Sequence, residues 1–352
     1  MNDELVIDDI ATGLPSSGLP SSGLPSCEGE APSVLPSYRM PKYLSPSSIA
    51  QWDKDREEYY RKYLCPNRVP RMPQTQPMSV GSAFDAYVKN YLATELGMPE
   101  ATGCLELGYL LEQQVEEGNR EWATAAGADC FNQYKKLGAC AELMKEMIAG
   151  SGHCFESTRS ARVDGAVPLM GKPDLYYYNA VGDLVIIDWK VNGYCSRSGA
   201  SPRKGYVRLL ASGKPQVCHP KAQCMMINGI SLNVAEGLEL CDLSWARQLC
   251  IYGWVLGSVS IVAGIDQLAC KPVDGAVGIR VASLRGKLSS AFQAEFWAHC
   301  CDIWARIQSG RVFDQDNDVT IRRLDLEADA YGKDTGNGHE DFFTSINRTH
   351  KW

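Results

Sequence analysis

Three charged residues in the middle of the chain have types and spacing that could support metal-ion chemistry. Asp174 precedes an apolar run that begins at Leu175, and Asp188 and Lys190 end a second apolar run that begins at Leu184. Side chains alternate between the two faces of a strand, so Asp188 and Lys190 share one face. The three residues therefore form a compact group if the two runs pair as a hairpin.

The connection between the two runs predicts how they pair. Ala180, Val181 and Gly182 form a three-residue loop, and a glycine in the left-handed position commonly closes such a hairpin. With Val181 at the centre, opposed residues have numbers that sum to 362, as Asp174 and Asp188 do. Directly opposed residues have Cβ atoms about 5 Å apart.

Two carboxylates this close repel each other unless a cation lies between them. Oxygen ligands suit Mg²⁺, and Mn²⁺ can substitute for it. Lys190 could orient a water nucleophile or stabilise negative charge that develops on a phosphate. The alternative is an ordinary hairpin with Asp174, Asp188 and Lys190 at its solvent end.

The elements around this hairpin predict an α+β fold, with a small mixed β-sheet flanked by helices. Ser45 to Ser48 offer N-cap candidates for the first helix, and prolines from residue 66 onward end it. The predicted helices cover 48–64, 82–96, one or two segments within 105–149, 244–256 and 289–309. The predicted strands cover 153–163, 167–178, 183–191, 259–270 and 276–284, and 192–241 is expected to be irregular.

Both ends of the chain are expected to lie outside the folded domain, which spans 38–330. Residues 1–37 contain the repeat GLPSSGLPSSGLPS and six acidic residues without a Lys or Arg, a composition typical of a disordered arm. The segment from Leu5 to Ile10 is a candidate docking peptide within that arm, against the alternative of a solvated tail. Residues 331–352 are predicted to form a polar tail.

Net charge does not decide between function classes. The 352 residues carry a formal charge of −7, but six of the 42 acidic residues lie in the arm, which leaves 36 acidic against 35 basic residues elsewhere. Hydropathy shows no membrane span and no export signal, which predicts a soluble cytoplasmic protein with reduced cysteines.

Three further segments occur in a fixed order around the hairpin. Leu44 to Trp52 leads into a Tyr-rich stretch, Val80 to Asp85 follows, and Gln248 and Tyr252 are four residues apart on one predicted helix face. With Gly171-Lys-Pro-Asp174 and Asp188-Trp-Lys190, this order resembles the PD-(D/E)XK nuclease superfamily, in particular its RecB-like branch. The resemblance covers about residues 43–256 and implies a restriction-endonuclease-like core.

The resemblance also implies a role for each matching residue. Metal ligands would be Asp85, Asp174, Asp188 and the Trp189 carbonyl, while Asp174, Asp188, Lys190, Gln248 and Tyr252 would form the catalytic group. Asp85 stands where relatives often have His, although some have an acidic ligand. The alternative for Asp85 is a surface ion pair with Lys89, four residues along the helix.

An iron–sulfur cluster is not expected, although some members of the branch carry one. Asp55 stands about where the first cluster cysteine would fall, and Cys300-Cys301 lack downstream partners.

A basic segment follows the catalytic strand and is the predicted DNA-binding region. From Trp189 through Ala235 the chain has no Asp or Glu. Basic side chains in this segment could track a phosphate backbone. The candidates are Arg197, Arg203, Lys204, Arg208, Lys214 and Lys221. The alternative is a solvated basic loop.

The sequence therefore predicts a Mg²⁺-dependent DNA nuclease, an exonuclease of recombination or end processing, of phage or bacterial type. An endonuclease using the same site and a non-catalytic nuclease-fold module that binds DNA are the alternatives. The arm would recruit a recombination or replication protein, and association of several copies of the chain is compatible with this interpretation.

Overall fold

Helices pack on both faces of a mostly antiparallel sheet in the computed structural model, which makes the fold mixed α/β. The structure describes residues 38–67, 72–202, 206–209, 215–218, 235–236, 238–240, 242–273 and 276–334. Residues 1–37 and 335–352, which hold most of the predicted arm and tail, lie outside the described residues. Among the described helices, none has the length and apolar character needed to cross a membrane.

Among the described residues, six α-helices precede the first strand. They are α1 (Pro46–Lys54), α2 (Arg56–Tyr59), α3 (Gln76–Glu95), α4 (Leu107–Gln114), α5 (Glu117–Lys136) and α6 (Ala139–Ile148). Ser45 caps α1 through a reciprocal capping box with Ser48. The predicted helix over 48–64 is interrupted, because Asp55 adopts an extended conformation and caps α2, which continues into a π-helical turn over Tyr60–Leu64.

Three further α-helices lie in the described part of the second half of the chain. They are α7 (Leu243–Val255), α8 (Ser290–Ser309) and α9 (Asn317–Asp334). Helix α9 was not predicted, and it crosses the expected domain end at residue 330. It packs on the π-helical turn, where the Tyr60 hydroxyl donates to Asp325 Oδ1 at 2.9 Å and Arg61 pairs with Glu327 at 3.0 Å.

The described strands form an eight-stranded sheet and a separate two-stranded one, so the prediction of a small sheet was wrong. The strands are β1 (Ser151–Phe155), β2 (Arg159–Val163), β3 (Val167–Gly171), β4 (Leu175–Tyr178), β5 (Leu184–Asn192), β6 (Tyr206–Leu209), β7 (Pro215–Cys218), β8 (Ala235–Glu236), β9 (Ile261–Val273) and β10 (Ala276–Lys287). The order is β1-β4-β5-β9-β10-β6-β7, and β8 pairs with β10. The pairs β5–β9 and β8–β10 are parallel, and the other neighbours are antiparallel.

Two predicted strands and the predicted basic loop are organised differently from the expectation. Residues 153–163 and 167–178 each divide between the two sheets, since β2 pairs with β3 while β1 and β4 belong to the large sheet. The segment 192–241 is not wholly irregular, because β6, β7 and β8 lie within it. Four-residue and two-residue strands without a long apolar run leave little alternation to detect.

The β4–β5 hairpin has the predicted register. Leu175 lies opposite Ile187 and Tyr178 lies opposite Leu184, so opposed residues sum to 362. Gly182 has a φ of 88° in the connecting turn, a conformation that glycine adopts without a side-chain clash. The two ends of the hairpin that carry Asp174 and Asp188 therefore lie side by side.

Strand β5 separates the two hydrophobic cores of the domain. Leu184 and Ile186 belong to the core that includes residues of α1, α7 and α8, while Val185, Ile187 and Trp189 belong to the core of α3, α5 and α6. This alternation follows from the pleat of the strand. It directs Asp188 and Lys190 toward α7.

A buried polar network supports the sheet behind the site. Arg285 Nη1 pairs with Asp266 Oδ1 at 2.7 Å, and the Tyr134 hydroxyl donates to Asp266 Oδ2 at 2.5 Å. Trp189 Nε1 donates to the Tyr134 hydroxyl at 3.4 Å. Because Asp266 lies opposite Trp189 in the β5–β9 pairing, this network fixes the strand segment that carries Asp188 and Lys190.

Replacing Asp266 with Ala should therefore destabilise the protein strongly. Arg285 would be left as an unpaired buried charge, which costs about 3–5 kcal/mol in the free energy of unfolding. Urea denaturation measures this loss. Lys145→Ala is the control, since its pair with Glu142 is on the surface and should contribute less than about 1 kcal/mol. Similar losses for both variants would contradict the structural role of the network.

Candidate metal centre

Asp174 is held against strand β5 by a backbone contact. It immediately precedes β4, and its Oδ2 accepts a hydrogen bond from the Trp189 backbone N–H at 3.2 Å. Its side chain is 23% exposed, so the carboxylate is oriented by the strand and yet reachable from solvent. This is the placement that the hairpin register predicts.

Asp188, Lys190, Gln248 and Tyr252 form one hydrogen-bonded group. Lys190 Nζ lies 2.5 Å from Asp188 Oδ2 and donates to Gln248 Oε1 at 2.8 Å. Gln248 Nε2 donates to Asp188 Oδ1 at 2.7 Å and to the Tyr252 hydroxyl oxygen at 2.6 Å. The glutamine amide thus contacts both members of the Asp–Lys pair, which sets the orientation of each.

Helix α7 brings Gln248 and Tyr252 to the strand. Asp242 caps the helix by accepting hydrogen bonds from the backbone N–H groups of Ser244 and Trp245. Aspartate is one of the preferred residues at the N-cap position. One turn of helix separates Gln248 from Tyr252, so both side chains leave the same face. The predicted shared face is confirmed.

A second group, to which Asp174 also belongs, consists of three carboxylates around a lysine. Among the described residues, Asp85, Glu156 and Asp174 each offer an oxygen within 4.8 Å of the others. Lys89 Nζ contacts Asp85 and Glu156 directly and lies 3.5 Å from Asp174 Oδ1. The Asp85–Lys89 pair, which the sequence offers as the alternative to a metal role for Asp85, is present, but Lys89 is fully buried rather than on the helix surface.

Glu156 reaches this group because of an unusual backbone conformation. It follows β1, has a φ of 56°, and donates its N–H to the Asp174 carbonyl at 3.3 Å. A residue other than glycine pays a strain cost in the left-handed region, and such strain concentrates at functional sites. Its carboxylate is also contacted by Lys172 and by Gln114 Nε2, the latter at 3.2 Å.

Burial and neighbouring charges set the protonation of the site. Burial is the largest cause that raises the pKa of Asp85 and of Asp188, each to about 7, and the Asp174 carboxylate acts in the same direction. Burial alone would lower the pKa of Lys89 and of Lys190, but the facing carboxylates outweigh it and raise both. Both lysines are therefore cationic at neutral pH, while Asp85 and Asp188 take up a proton more readily than an ordinary aspartate.

The donor set fits a divalent cation. Asp85 Oδ1 is buried and has no hydrogen-bond partner among the described residues, and a buried oxygen of this kind normally has one. Carboxylate oxygens are the ligands that Mg²⁺ and Mn²⁺ prefer. The described cluster comprises Asp85, Glu156 and Asp174, whereas Asp188 faces Lys190 and Gln248 instead. The metal roles of Asp85, Asp174, Asp188 and the Trp189 carbonyl all stay predictions.

The predicted DNA-binding residues lie largely outside the described part of the chain. Arg197 is described and exposed. Arg203, Lys204, Lys214 and Lys221 lie outside the described residues, and Arg208 belongs to β6, whose backbone pairs with β7. Their role in DNA binding stays a prediction.

Glu156, Lys172 and Gln114 were missed by the sequence analysis, and Lys89 was considered only as a surface partner. Glu156 falls inside a stretch that predicts one continuous strand, so the turn that redirects its side chain has no local signal. Lys89 carries one visible signal, its position four residues after Asp85. The sequence does not show that this helix face is buried.

Comparison with protein-family models gives no match, and comparison with curated proteins gives none. One solved structure, described as "Crystal structure of SSO0001", aligns with 79% of this chain and 94% of that chain, at 12% sequence identity and a TM-score of 0.21. A likeness this weak carries no argument about fold or function.

The Tyr252 ring packs so closely on Gly171 that no larger residue fits there, and replacing Gly171 with Ala should destabilise the protein. A Cβ at this position would lie 2.6 Å from Tyr252 Cδ1, and overpacking of this kind costs about 1–3 kcal/mol in the free energy of unfolding. Thermal and urea denaturation measure the loss. Gly118→Ala is the control, since its added Cβ meets nothing within 4 Å. Equal stability of Gly171→Ala and the wild type would contradict this packing account.

Proposed function

We propose that the chain is a metal-dependent DNA nuclease of the PD-(D/E)XK type, with a restriction-endonuclease-like core and a RecB-like arrangement. The observation that supports this most is the hydrogen-bonded group of Asp188, Lys190, Gln248 and Tyr252 beside Asp174. Residues of the β4–β5 hairpin and of helix α7, about 60 positions later in the chain, lie in direct contact. These are the residues that the sequence motifs group together. A solvent-exposed hairpin of ordinary charged residues would not bury Asp188 to 1% exposure.

The residues that would hold a Mg²⁺ or Mn²⁺ ion are Asp85, Glu156 and Asp174, with Asp188 and the Trp189 carbonyl beside them. A bound ion would supply Lewis-acid stabilisation of the negative charge that develops on the phosphate. The side chains of Asp85, Glu156 and Asp174 are 16%, 17% and 23% exposed. These carboxylates are therefore partly shielded but open to a substrate phosphate.

Lys190 acts as a cationic donor in this proposal. The adjacent carboxylates of Asp188 and Asp174 raise its pKa despite burial, so it holds its proton at neutral pH and is poorly suited to remove one from water. Its ammonium can orient an attacking water and offset negative charge on the phosphate. Gln248 Oε1 accepts one of its N–H groups at 2.8 Å and so limits where the ammonium points.

The proposed substrate and cellular role are argued from the basic segment and the acidic arm. The basic segment that leaves β5 supports DNA as the polymer, and Arg197 is its exposed described member. We propose exonuclease activity in recombination or end processing, in the cytoplasm of a bacterial or phage-infected cell. An acidic arm that recruits a recombination or replication protein is consistent with this role.

Cleavage of matched linear and covalently closed circular duplex DNA, with Mg²⁺ or with EDTA, tests the activity. Wild-type protein should degrade the linear DNA in Mg²⁺ alone. Lys190→Ala should lower the rate at least about a hundredfold, since the donor aimed at developing charge is lost. Lys145→Ala, a surface variant outside the site, should match the wild type.

Cutting of closed circles would keep the site but replace exonuclease with endonuclease. Full activity of Lys190→Ala would contradict the proposed site. Unchanged DNA binding without cleavage in any metal would favour the second candidate, a non-catalytic DNA-binding module. That candidate is favoured by Lys89, which already places a positive charge among Asp85, Glu156 and Asp174.

Metal dependence should also be visible in stability. Mg²⁺ should raise the melting temperature of the wild type by a few degrees over EDTA, because a ligand that binds the folded state stabilises it. Asp174→Asn should lose most of this rise, since the variant removes a charged ligand. Differential scanning fluorimetry measures both. An equal rise in the two proteins would place the metal elsewhere.

A further inference from the structure

Lys89 has an environment that a lysine rarely has. Its side chain is fully buried on α3, and its ammonium contacts the carboxylates of Asp85 and Glu156 and lies 3.5 Å from Asp174. A buried charge is costly unless it is paired, and here three carboxylates surround a single ammonium. The lysine is therefore at the point where the three acidic side chains converge.

This arrangement differs from the structural ion pair elsewhere in the domain. Within the described residues, Arg285 pairs with the carboxylate of Asp266, and the two side chains are 6% and 0% exposed. The three carboxylates around Lys89 are all partly exposed, although Lys89 is not. The acidic side of the group therefore faces a route to solvent, as a site that exchanges a cation requires.

The balance of charges also favours a site for a cation. Three carboxylates meet around Lys89, those of Asp85, Glu156 and Asp174. Two lysines pair with them, Lys89 and Lys172. When all these groups are ionised, the cluster carries one more negative than positive charge, and Asp85 Oδ1 has no hydrogen-bond partner among the described residues.

We propose that Lys89 is a built-in cation that occupies the position of a divalent metal ion among Asp85, Glu156 and Asp174 and competes with that ion. The inference rests on the proposed function, since it concerns the same site. A lysine ammonium is a compact point charge on a flexible four-carbon stem, so it can fill an ion position and also withdraw from it. The chain then keeps its acidic site folded before metal arrives, at the expense of metal affinity.

Titration with Mn²⁺, followed by calorimetry and by the electron paramagnetic resonance of free Mn²⁺, tests this competition without using activity. Lys89→Met should bind Mn²⁺ at least about tenfold more tightly than the wild type, because a like charge a few ångströms from the ion is removed. Lys145→Met, which removes a surface lysine paired with Glu142, should leave the affinity unchanged. Lys89→Gln, which keeps hydrogen-bond donors but not the charge, should behave like Lys89→Met.

The outcomes separate this inference from the proposed function. Equal or weaker Mn²⁺ binding by folded Lys89→Met or Lys89→Gln, with measurable binding by the wild type, would make Lys89 a structural counter-ion and leave the nuclease proposal standing. Absence of Mn²⁺ binding in the wild type and in both variants would overturn both. A Lys89 variant that folds only when Mn²⁺ is present would support the competition, since metal then replaces the missing charge.

Discussion

The antiparallel pairing of β4 with β5 is the constraint on which the candidate site depends. It places Asp174 beside Asp188 and directs Asp188 and Lys190 toward α7, where Gln248 binds both. A shift of one residue would send every side chain of the strand to the opposite face. Apolar packing prevents that shift, because Ile186 and Ile187 are each fully buried in a different core. The register therefore follows from hydrophobic burial, and the position of the charged groups follows from the register.

The same pairing brings several carboxylates close together, and lysines on neighbouring elements offset the repulsion between them. Carboxylates from α3, from the end of β1 and from the hairpin converge, and burial makes their mutual repulsion stronger. Lys89 and Lys190 offset much of that repulsion from inside the site, and Lys172 does so from its edge. Glu156 joins the group through a left-handed backbone conformation. Under the proposed metal binding, stability and metal affinity would thus be opposed at this site, since each internal cation that favours folding also weakens the attraction for an external one.

The parts of this account that are local in sequence could be predicted. The hairpin register follows from turn length and apolar alternation, and the shared face of Gln248 and Tyr252 follows from helical spacing. Glu156 could not be predicted, because its position depends on one backbone conformation that interrupts a strand-like stretch. The burial of Lys89 depends on packing between α3 and the sheet, which the spacing to Asp85 does not reveal. Strands β6 and β7 were missed because they are short and lie in a basic segment, so their pairing with the sheet depends on long-range contacts with β10.

The most direct test of the central claim is anomalous diffraction from crystals of the wild-type protein grown with Mn²⁺. The account predicts an anomalous peak coordinated directly by carboxylate oxygens of Asp174 together with Asp85 or Glu156. It also predicts that the Lys89 ammonium has moved away from the position it holds among these carboxylates. A well-ordered site in saturating Mn²⁺ without such a peak, with Lys89 still among the three carboxylates, would contradict the assignment of this group as a metal centre.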